Sequence, residues 1–510
     1  MLVHEFLEHS ADRLPTKVAL VADGQRLTYQ DVEAQANRLA NALRAQGLKR
    51  GDRVALFLPN CLELALSIFA ILKAGGVFVP INHTTKLDKC RYILNHCDAK
   101  VLITSGRQAE MAQGLMSEVR SLTTVLLTSP MLPNAASPSW SDYLSYDAIQ
   151  ADYPETRLPS GNIDVDLACL IYTSGSTGDP KGVMSDHSNV VFAASSIIEY
   201  LGNQETDVVI GLLPLSFDYG LYQLLMVFKF GGTLILEKGF TFPAAILKRM
   251  VEERVTGFPA VPTMLTLLLK MDLSPYDLSH LRYISNTAAA LPPSHITAIR
   301  DKFPWVTLFS MYGLTETKRT LYLPPDQLDQ RSGSVGIPIP GTEAWVEDEQ
   351  GNRLAAGQVG ELVVRGRHVM RGYWNDPERT ALRFRPGALP GERLCYTGDL
   401  FRQDEVGYFY FVARKDDVIK SRGEKVAPKE VENVLYGLAG VQEAAVIGVP
   451  DPVLGQAVKA FIVADDTVTD ADIMQHCRAN LEDFMVPKLI ERRSELPKTS
   501  TGKIKKTDLN

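Results

Sequence analysis

The sequence predicts a large N-terminal α/β domain followed by a small α+β domain. The chain has 510 residues, which is more than one domain of ordinary size. In its N-terminal part, apolar strand-like segments alternate with amphipathic helical segments, a pattern typical of a largely parallel sheet covered by helices. After residue 416, a separate set of helices and strands has the size of a small independent domain.

The first long helix is predicted between Thr28 and Gly47. Thr28 and Asp31 have the spacing of an N-terminal capping box, and Gly47 stands where a glycine commonly ends a helix. Apolar residues recur between them at helical spacing, namely Val32, Ala36, Leu39 and Leu43. The elements predicted next are a strand at 54–58, a helix at 62–73, a strand at 77–81, a helix at 86–96 and strands at 101–104 and 167–171.

The domain boundary is predicted at a cluster of charged residues that begins at Arg414. We predict a large domain over residues 1–413, a hinge over residues 414–416 and a small domain over residues 417–510. Within the small domain, the pattern predicts a helix at 429–438, strands at 443–449 and 458–464, and a helix at 470–481.

Composition excludes several classes of protein. With 53 basic and 60 acidic residues, the net charge of −7 gives no general attraction to nucleic acid or to an anionic membrane. The six cysteines form no CxxC pair, which argues against a disulfide framework or a zinc knuckle and fits a reducing compartment. The longest apolar run, residues 64–72, is too short to span a bilayer. We therefore expect a soluble, cytoplasmic protein with neither a nucleic-acid nor a membrane partner.

A loop rich in hydroxyl groups and glycine is the strongest candidate for a binding site. It follows the predicted strand at 167–171 and is suited to an anion, because glycine allows close backbone approach while N–H and O–H groups donate hydrogen bonds. A lysine at its end adds a positive charge for phosphate. The residues that we expect to bind phosphate are Thr173, Ser174, Gly175, Ser176, Thr177, Gly178 and Lys181.

Four further segments occur in a characteristic order after this loop. They are Tyr312-Gly-Leu-Thr-Glu316-Thr, Tyr396-Thr-Gly-Asp399-Leu, the run from Arg414 to Glu432, and Pro497-Lys-Thr-Ser-Thr-Gly502-Lys503-Ile. Together with the loop, they resemble the signatures of the adenylate-forming superfamily of acyl-CoA synthetases, peptide-synthetase adenylation domains and luciferases. The resemblance covers residues 170–505 and implies the fold of these enzymes, with a small C-terminal domain that is mobile.

This resemblance implies a two-step reaction that uses ATP and Mg²⁺. A carboxylate attacks the α-phosphate of ATP and releases pyrophosphate, and a thiol then displaces AMP from the acyl adenylate. By resemblance, Glu316 would hold Mg²⁺ against the phosphates, Thr315 would contact the α-phosphate, and Lys503 would stabilise charge on the reacting groups. Asp416 would be the pivot about which the small domain rotates between the two steps.

The remaining nucleotide contacts are also implied by the resemblance. The segment from Thr173 to Lys181 would hold the β- and γ-phosphates, and Tyr312 would lie against adenine. Asp399 would accept hydrogen bonds from both ribose hydroxyls, which suits a carboxylate with two acceptor oxygens, and Arg414 would assist at the ribose.

The substrate is indicated by Phe217-Asp218. In this family, an aspartate at this place pairs with the ammonium group of an amino acid, and a buried carboxylate needs such a cation. The alternative is that Asp218 caps a helix. The run at 216–223 is similar to stand-alone prolyl–carrier-protein ligases, so we expect L-proline as substrate, with Tyr222 and Met311 facing its side chain. The thiol acceptor would be a separate carrier protein, with coenzyme A as the alternative.

Two other functions stay open at this stage. The first is a medium-chain or aromatic acyl-CoA ligase with the same chemistry, in which Asp218 would have a structural role. The second is a non-catalytic nucleotide-binding protein, which the presence of Lys181, Glu316, Asp399 and Lys503 disfavours.

Overall fold

The structure of the protein is a computed structural model. It describes residues 1–129, 143–173, 180–287, 291, 293–421, 424–451, 454–499 and 503–509.

Helices occur along the whole of the described chain. They are α1 Glu5–Arg13, α2 Tyr29–Ala45, α3 Leu62–Lys73, α4 Leu87–His96, α5 Ala109–Glu118, α6 Tyr146–Asp152, α7 His187–Leu201, α8 Asp218–Phe230, α9 Pro243–Glu252, α10 Pro262–Leu269, α11 Pro293–Lys302, α12 Pro377–Arg383, α13 Pro428–Tyr436 and α14 Asp470–Asn480, with short 3₁₀ turns at Gly106–Gln108, Pro325–Gln327 and Lys506–Asp508.

The strands form four sheets. In chain order they are β1 Val18–Ala22, β2 Gln25–Thr28, β3 Arg53–Phe57, β4 Val77–Pro80, β5 Ala99–Thr104, β6 Thr124–Leu127, β7 Tyr143–Ser145, β8 Leu167–Thr173, β9 Lys181–Asp186, β10 Val208–Gly211, β11 Thr233–Leu236, β12 Gly257–Ala260, β13 Tyr283–Asn286, β14 Thr307–Tyr312, β15 Leu321–Leu323, β16 Ile337–Pro338, β17 Glu343–Glu347, β18 Val359–Arg365, β19 Gly372–Tyr373, β20 Phe384–Pro386, β21 Arg393–Gln403, β22 Phe409–Arg414, β23 Ile419–Ser421, β24 Glu424–Val426, β25 Val441–Asp451, β26 Gly455–Ala464 and β27 Leu489–Arg492.

Two large, mainly parallel sheets make up most of the N-terminal part. One has the strand order β16-β15-β14-β13-β12-β10-β11-β1-β2, and the other has the order β19-β9-β8-β4-β3-β5-β6-β7. A single apolar core contains residues of both sheets and of α2, α3, α7 and α8. The prediction of α/β architecture is confirmed, but the parallel strands are divided between two sheets, which share this core.

Local signals in the sequence account for several element boundaries. The capping box predicted for α2 is present, since Thr28 Oγ1 accepts a hydrogen bond from Asp31 N at 3.2 Å and Asp31 Oδ2 accepts one from Thr28 N at 2.9 Å. Gly47 follows the end of this helix at φ +85°, the left-handed conformation that glycine adopts without strain. The predicted helix at 62–73 is α3, which is buried along most of its length.

The third and fourth sheets follow along the chain. The third is antiparallel, with β17, β18, β21 and β20 in order and β22 paired to β21. The fourth has the order β24-β23-β26-β25 with β27 beside β26, and its apolar core draws only on residues after 418. β22 ends at Arg414 and β23 begins in the fourth sheet at Ile419. The division of the chain at residues 414–416 stays a prediction.

The C-terminal part contacts the large sheets at α10 and α11. Lys270 Nζ donates a hydrogen bond to Gln442 Oε1 at 2.8 Å. The rings of His295 and Tyr436 lie 6.3 Å apart, edge to face. Throughout the described segments, no helix has both the length and the apolar character needed to cross a membrane.

Strand order determines where functional side chains collect. β10, β12, β13 and β14 are parallel neighbours, so their carboxyl ends lie at the same edge of the sheet. α8 begins at Asp218, shortly after β10, and the Tyr312–Glu316 signature begins at the last residue of β14. The edge therefore brings together two segments that are about a hundred residues apart in sequence.

The start of α8 depends on close backbone packing at Gly220. A Cβ atom at this position would overlap the carbonyl oxygens of Leu213 and Pro214, whereas a Cβ atom at Gly114 in α5 would meet nothing within 4 Å. We expect Gly220→Ala to lower the free energy of unfolding by about 1–3 kcal/mol, because the helix must shift. Gly114→Ala is the control and should raise stability by about 0.5–1 kcal/mol. Urea unfolding followed by circular dichroism measures both, and a stabilising Gly220→Ala would contradict this packing.

Candidate active site

The ends of the predicted phosphate loop lie on two antiparallel strands. Thr173 at the end of β8 is paired in register with Lys181 at the start of β9. Thr173 Oγ1 is buried and finds no hydrogen-bond partner among the described residues. The loop residues Ser174, Gly175, Ser176, Thr177 and Gly178 lie outside the described residues, so their role stays a prediction.

A buried carboxylate lies beside Lys181. Lys181 Nζ is 3.2 Å from Glu316 Oε1, and Tyr373 Oη donates a hydrogen bond to the same oxygen at 2.6 Å. Lys181 Nζ also lies 2.8 Å from Tyr373 Oη. Burial by itself raises the pKa of Glu316, but the cationic side chains of Lys181 and Arg383 and the Tyr373 hydroxyl bring that pKa below its usual range. Glu316 is therefore ionised, and we call Glu316, Lys181 and Tyr373 the Glu316 cluster.

The Glu316 cluster can accept a divalent cation only together with other oxygen ligands. No group of three or more His, Cys, Asp or Glu side chains that could hold a metal occurs among the described residues. A single ionised carboxylate beside a phosphate-binding lysine fits Mg²⁺ that is bound mainly through substrate phosphates. Thr315 is half-buried in the turn that precedes Glu316, where Thr317 N donates to Leu314 O at 3.0 Å.

A second buried carboxylate, Asp399, lies on the third sheet. Its Oδ2 accepts a hydrogen bond from Tyr312 Oη at 2.6 Å, and its Oδ1 lies 3.6 Å from Arg414 Nε. Burial raises the pKa of Asp399, while Arg414 and the Tyr312 hydroxyl oppose that rise. The Tyr312 ring also packs edge to face on Phe401 at 5.0 Å. We call Asp399, Tyr312 and Arg414 the Asp399 cluster.

A third cluster surrounds Asp218 and includes a cation that sequence reasoning missed. Asp218 Oδ1 lies 2.7 Å from Lys318 Nζ, and both side chains are almost fully buried. Phe217 is the N-cap residue of α8, so Asp218 is not the helix cap. Lys318 supplies the counter-ion that the sequence argument assigned to a substrate ammonium group. The basis of that assignment is therefore corrected, because the carboxylate is already neutralised within the chain.

The backbone around Lys318 explains the glycine of the Tyr312–Glu316 signature. A Cβ atom at Gly313 would overlap the carbonyl oxygen of Lys318. Lys318 itself is in the left-handed conformation at φ +58°. The turn is closed by a hydrogen bond from Thr320 N to Tyr312 O at 2.9 Å. This tight turn places the Lys318 side chain beside Asp218, which lies a hundred residues earlier in the sequence.

Aromatic residues and an arginine complete the third cluster. Tyr222 is buried with its hydroxyl unpartnered among the described residues, and its ring centre lies 5.9 Å from Lys318 Nζ. The Arg319 guanidinium lies 4.5 Å above the centre of the Tyr219 ring. We call Asp218, Tyr219, Tyr222, Lys318 and Arg319 the Asp218 cluster.

Met311, which we expected to face the substrate, is buried one residue before Tyr312. Its sulfur accepts a hydrogen bond from Tyr200 Oη at 2.8 Å. The Tyr200 ring is in turn stacked on Tyr322 at 4.3 Å. Met311 is therefore fixed in an aromatic environment, and its contact with a substrate stays a prediction.

Lys503 is within electrostatic reach of two of these clusters. Burial lowers the pKa of Lys503, Arg414 and Arg319 lower it as well, and the carboxylates of Asp399 and Asp218 oppose the decrease, so that the resulting pKa is about 8. Lys503 N donates a hydrogen bond to Thr499 Oγ1 at 3.1 Å. The charges of the Asp399 and Asp218 clusters thus act on Lys503, and its role between nucleotide and acid stays a prediction. Asp416, the predicted pivot, is exposed in the turn after β22, and nothing here tests its role.

Four residues at the site were not found from sequence: Lys318, Arg319, Tyr373 and Arg383. A signal existed for the first two. They directly follow the Tyr312-Gly-Leu-Thr-Glu316-Thr segment, which the resemblance assigns to the nucleotide site. Tyr373 and Arg383 lie far along the chain in segments without a pattern that indicates function.

Comparison with known proteins agrees with this geometry. Residues 7–374 match the AMP-binding enzyme family, and residues 430–503 match the AMP-binding enzyme C-terminal domain. A long-chain-fatty-acid–CoA ligase from Bacillus subtilis (strain 168) is 34% identical over 98% of this chain and 93% of its own length. A feruloyl-CoA synthase from Amycolatopsis sp. is 35% identical over 97% of this chain and 96% of its own length. The crystal structure of ATP-bound MatB from Rhodopseudomonas palustris covers 100% of this chain and 98% of its own, with a TM-score of 0.89 and 29% identity.

The buried Lys318–Asp218 pair predicts strong coupling between its two members. Lys318→Met leaves the buried Asp218 carboxylate without its ion-pair partner, and Asp218→Asn leaves the buried Lys318 ammonium group without an anion. Each single change should lower the free energy of unfolding by about 3–5 kcal/mol, and the double variant should lose far less than the sum. Urea unfolding measures all three variants.

The exposed pair Lys505–Asp508 is the matched control. Its side chains are 49% and 46% exposed, so solvent screens the two charges and the corresponding Met and Asn changes should have nearly additive effects. Additive effects at Lys318 and Asp218 would contradict the internal ion pair.

Proposed function

Because the chain belongs to the AMP-binding enzyme family, we propose that it activates an organic acid with ATP and transfers the acyl group to the thiol of coenzyme A. The chemistry of the family is ATP-dependent formation of an acyl adenylate by an acid–thiol ligase. The choice of acid and of acceptor goes beyond the family and is our proposal.

The observation that carries the proposal is the position of Lys503. It is close enough to Asp399 and Arg414, and to Asp218 and Arg319, for all four charges to act on its pKa. The first two residues form the predicted ribose site, and the other two belong to the Asp218 cluster. A lysine in reach of both suits a reaction in which a carboxylate attacks the α-phosphate of a bound nucleotide.

In the first step, a carboxylate oxygen of the acid forms a bond to the α-phosphorus, and the bond to the pyrophosphate leaving group breaks. The Lys503 ammonium group would attract both the attacking carboxylate and the α-phosphate, which offsets their mutual repulsion. Asp399 would accept hydrogen bonds from the ribose hydroxyls and fix the nucleotide, so that the reacting atoms are aligned. Tyr312 and Arg414 would hold the Asp399 carboxylate in place.

The Glu316 cluster would neutralise the negative charge of the β- and γ-phosphates. Lys181 is at present the counter-ion of Glu316 at 3.2 Å. When ATP binds, its phosphates can take Lys181 as partner, which frees Glu316 as an oxygen ligand for Mg²⁺. Bound there, Mg²⁺ would supply neutralisation of phosphate charge as pyrophosphate leaves.

In the second step, a thiol attacks the acyl carbon of the adenylate and AMP departs. Coenzyme A is the acceptor that we favour, because the similar proteins reported above include a long-chain-fatty-acid–CoA ligase and a feruloyl-CoA synthase. A carrier protein is the alternative acceptor.

The competing proposal is activation of L-proline for a carrier protein. Its support was the need of Asp218 for a cation, and Lys318 supplies that cation from within the chain. A substrate ammonium would have to displace Lys318 and leave two cations buried beside Arg319. The charge balance of the Asp218 cluster therefore favours an acid without an amino group.

The direct test is ATP–pyrophosphate exchange with purified protein. The panel comprises mono- and dicarboxylic acids without an amino group, the proteinogenic amino acids, and a control without acid. We expect exchange with acids that lack an amine, and formation of the coenzyme A thioester with the same acids, detected by mass spectrometry.

Either of two results would contradict the proposal. Exchange dominated by L-proline, without thioester formation on coenzyme A, would support the carrier-protein alternative. No exchange with any acid, while ATP still binds, would support a non-catalytic nucleotide-binding protein.

The lowered pKa of Lys503 predicts a pH dependence of adenylation. The ammonium form is present below its pKa of about 8 and is lost as pH rises through that value. We therefore expect kcat/KM for adenylation to fall above about pH 8. Lys503→Arg keeps its charge at high pH, so its slower rate should not show this decrease. Lys503→Ala should lose about 10²–10³-fold at neutral pH. An unchanged decrease in Lys503→Arg would assign the titration to another group.

A further inference from the structure

Arg319 is a buried cation that has no carboxylate partner among the described residues. Only 5% of its surface is exposed. No ion pair within 4.0 Å links it to an acidic side chain in the described parts of the chain, and its Nε atom is among the buried polar atoms without a hydrogen-bond partner there. Its Nη1 makes one long hydrogen bond, to Lys318 O at 3.4 Å. The other contact is with the face of Tyr219.

The Asp218 cluster therefore carries an unbalanced positive charge. Lys318 and Asp218 neutralise each other at 2.7 Å. Arg319 remains, and an arginine cannot lose its proton in a protein. Burying a charge without a partner is unfavourable, and the face of a tyrosine ring compensates only part of that cost. Such a residue is stabilised when a ligand brings an anion.

A second unpartnered donor lies in the same cluster. The Tyr222 hydroxyl is fully buried and has no partner among the described residues. Tyr222 lies in the same helix as Tyr219, on whose ring Arg319 packs at 4.5 Å, and its own ring centre is 5.9 Å from Nζ of the adjacent residue Lys318. Arg319 also acts electrostatically on the pKa values of Tyr222 and Lys503. Lys503 is the residue assigned above to the reacting carboxylate. Arg319 and Tyr222 are therefore free to bind a different group of the same molecule.

We propose that the acid substrate is a dicarboxylic acid, whose second carboxylate binds Arg319 and Tyr222 while the first reacts beside Lys503. This inference rests on the proposed function and specifies its substrate class. A planar guanidinium with a free Nε–H suits a carboxylate, to which it can donate two parallel hydrogen bonds. A monocarboxylic acid would leave Arg319 unpaired under an apolar chain, which disfavours its binding.

The test compares straight-chain dicarboxylic acids with monocarboxylic acids of the same carbon number, in ATP–pyrophosphate exchange with the full chain. We expect the best dicarboxylic acid to exceed its monocarboxylic counterpart by about a hundredfold or more in kcat/KM, as for a site built around a polar group of its substrate. Arg319→Met should lower the ratio of kcat/KM for the dicarboxylic acid to kcat/KM for the monocarboxylic acid by about a hundredfold or more. Arg319→Lys, which keeps a positive charge, should retain part of the preference.

Arg331→Met is the matched control. Arg331 also lies over a tyrosine ring, at 3.8 Å from the centre of Tyr408, but it is paired with Asp404 at 2.6 Å and lies outside the Asp218 cluster. Its replacement should leave the ratio unchanged. Circular dichroism and ATP binding establish that each variant is folded. If Arg319→Met does not fold, the wild-type ratio and Arg319→Lys still decide the question.

The outcomes separate the two proposals. A wild-type preference for monocarboxylic acids, with coenzyme A thioesters formed, would overturn the dicarboxylic substrate and leave the proposed function in place. Equal losses for both acid classes in Arg319→Met would also overturn it, because Arg319 would then bind the reacting carboxylate or act structurally. Exchange with amino acids alone would overturn both proposals.

Discussion

The charge of the part of the site that would bind the acid depends on the ion pair between Lys318 and Asp218. At 2.7 Å, and with both side chains buried, the pair neutralises the carboxylate before any ligand arrives. The close backbone approach of Gly313 to Lys318 and the left-handed turn there bring the lysine into place. The next residue, Arg319, is left as the unbalanced charge. Under the proposed function, the Asp218 cluster is therefore suited to an additional negative group of the ligand and not to an additional positive one.

The Asp399 cluster, the Asp218 cluster and Lys503 come from different parts of the fold, and the charges of the two clusters act on Lys503. Asp399 lies in β21 of the third sheet, Asp218 begins α8 behind a parallel sheet, and Lys503 follows the fourth sheet. Burial, Arg414 and Arg319 lower the pKa of Lys503 to about 8, and the carboxylates of Asp399 and Asp218 oppose that decrease. Most of the Lys503 side chain is still in the ammonium form at neutral pH, which is the form that the proposed first step uses. In the Glu316 cluster, Lys181 similarly neutralises a buried carboxylate. ATP would free that carboxylate when its phosphates bind Lys181.

Sequence alone predicted much of the fold and the nucleotide side of the site. Local signals sufficed for α2 with its capping box and for the apolar helix α3, because these depend on neighbouring residues. Ordered signatures predicted roles for Lys181, Glu316, Asp399 and Lys503, and these roles stay predictions. The division of the parallel strands into two sheets could not be predicted, since pairing across a sheet leaves no local pattern. The Lys318–Asp218 pair was missed for the same reason. A carboxylate in an apolar segment shows that a cation is needed, but it does not show which residue or ligand supplies that cation.

The central claim is that Asp218 keeps its internal partner while the acid is bound. A crystal structure of the protein with a non-hydrolysable acyl-adenylate analogue, made from the acid that supports the fastest exchange, tests it most directly. We expect Lys318 Nζ and Asp218 Oδ1 to stay within ion-pair distance and an anionic group of the ligand to contact Arg319. An Asp218 carboxylate separated from Lys318 and bound to an ammonium group of the ligand would contradict it.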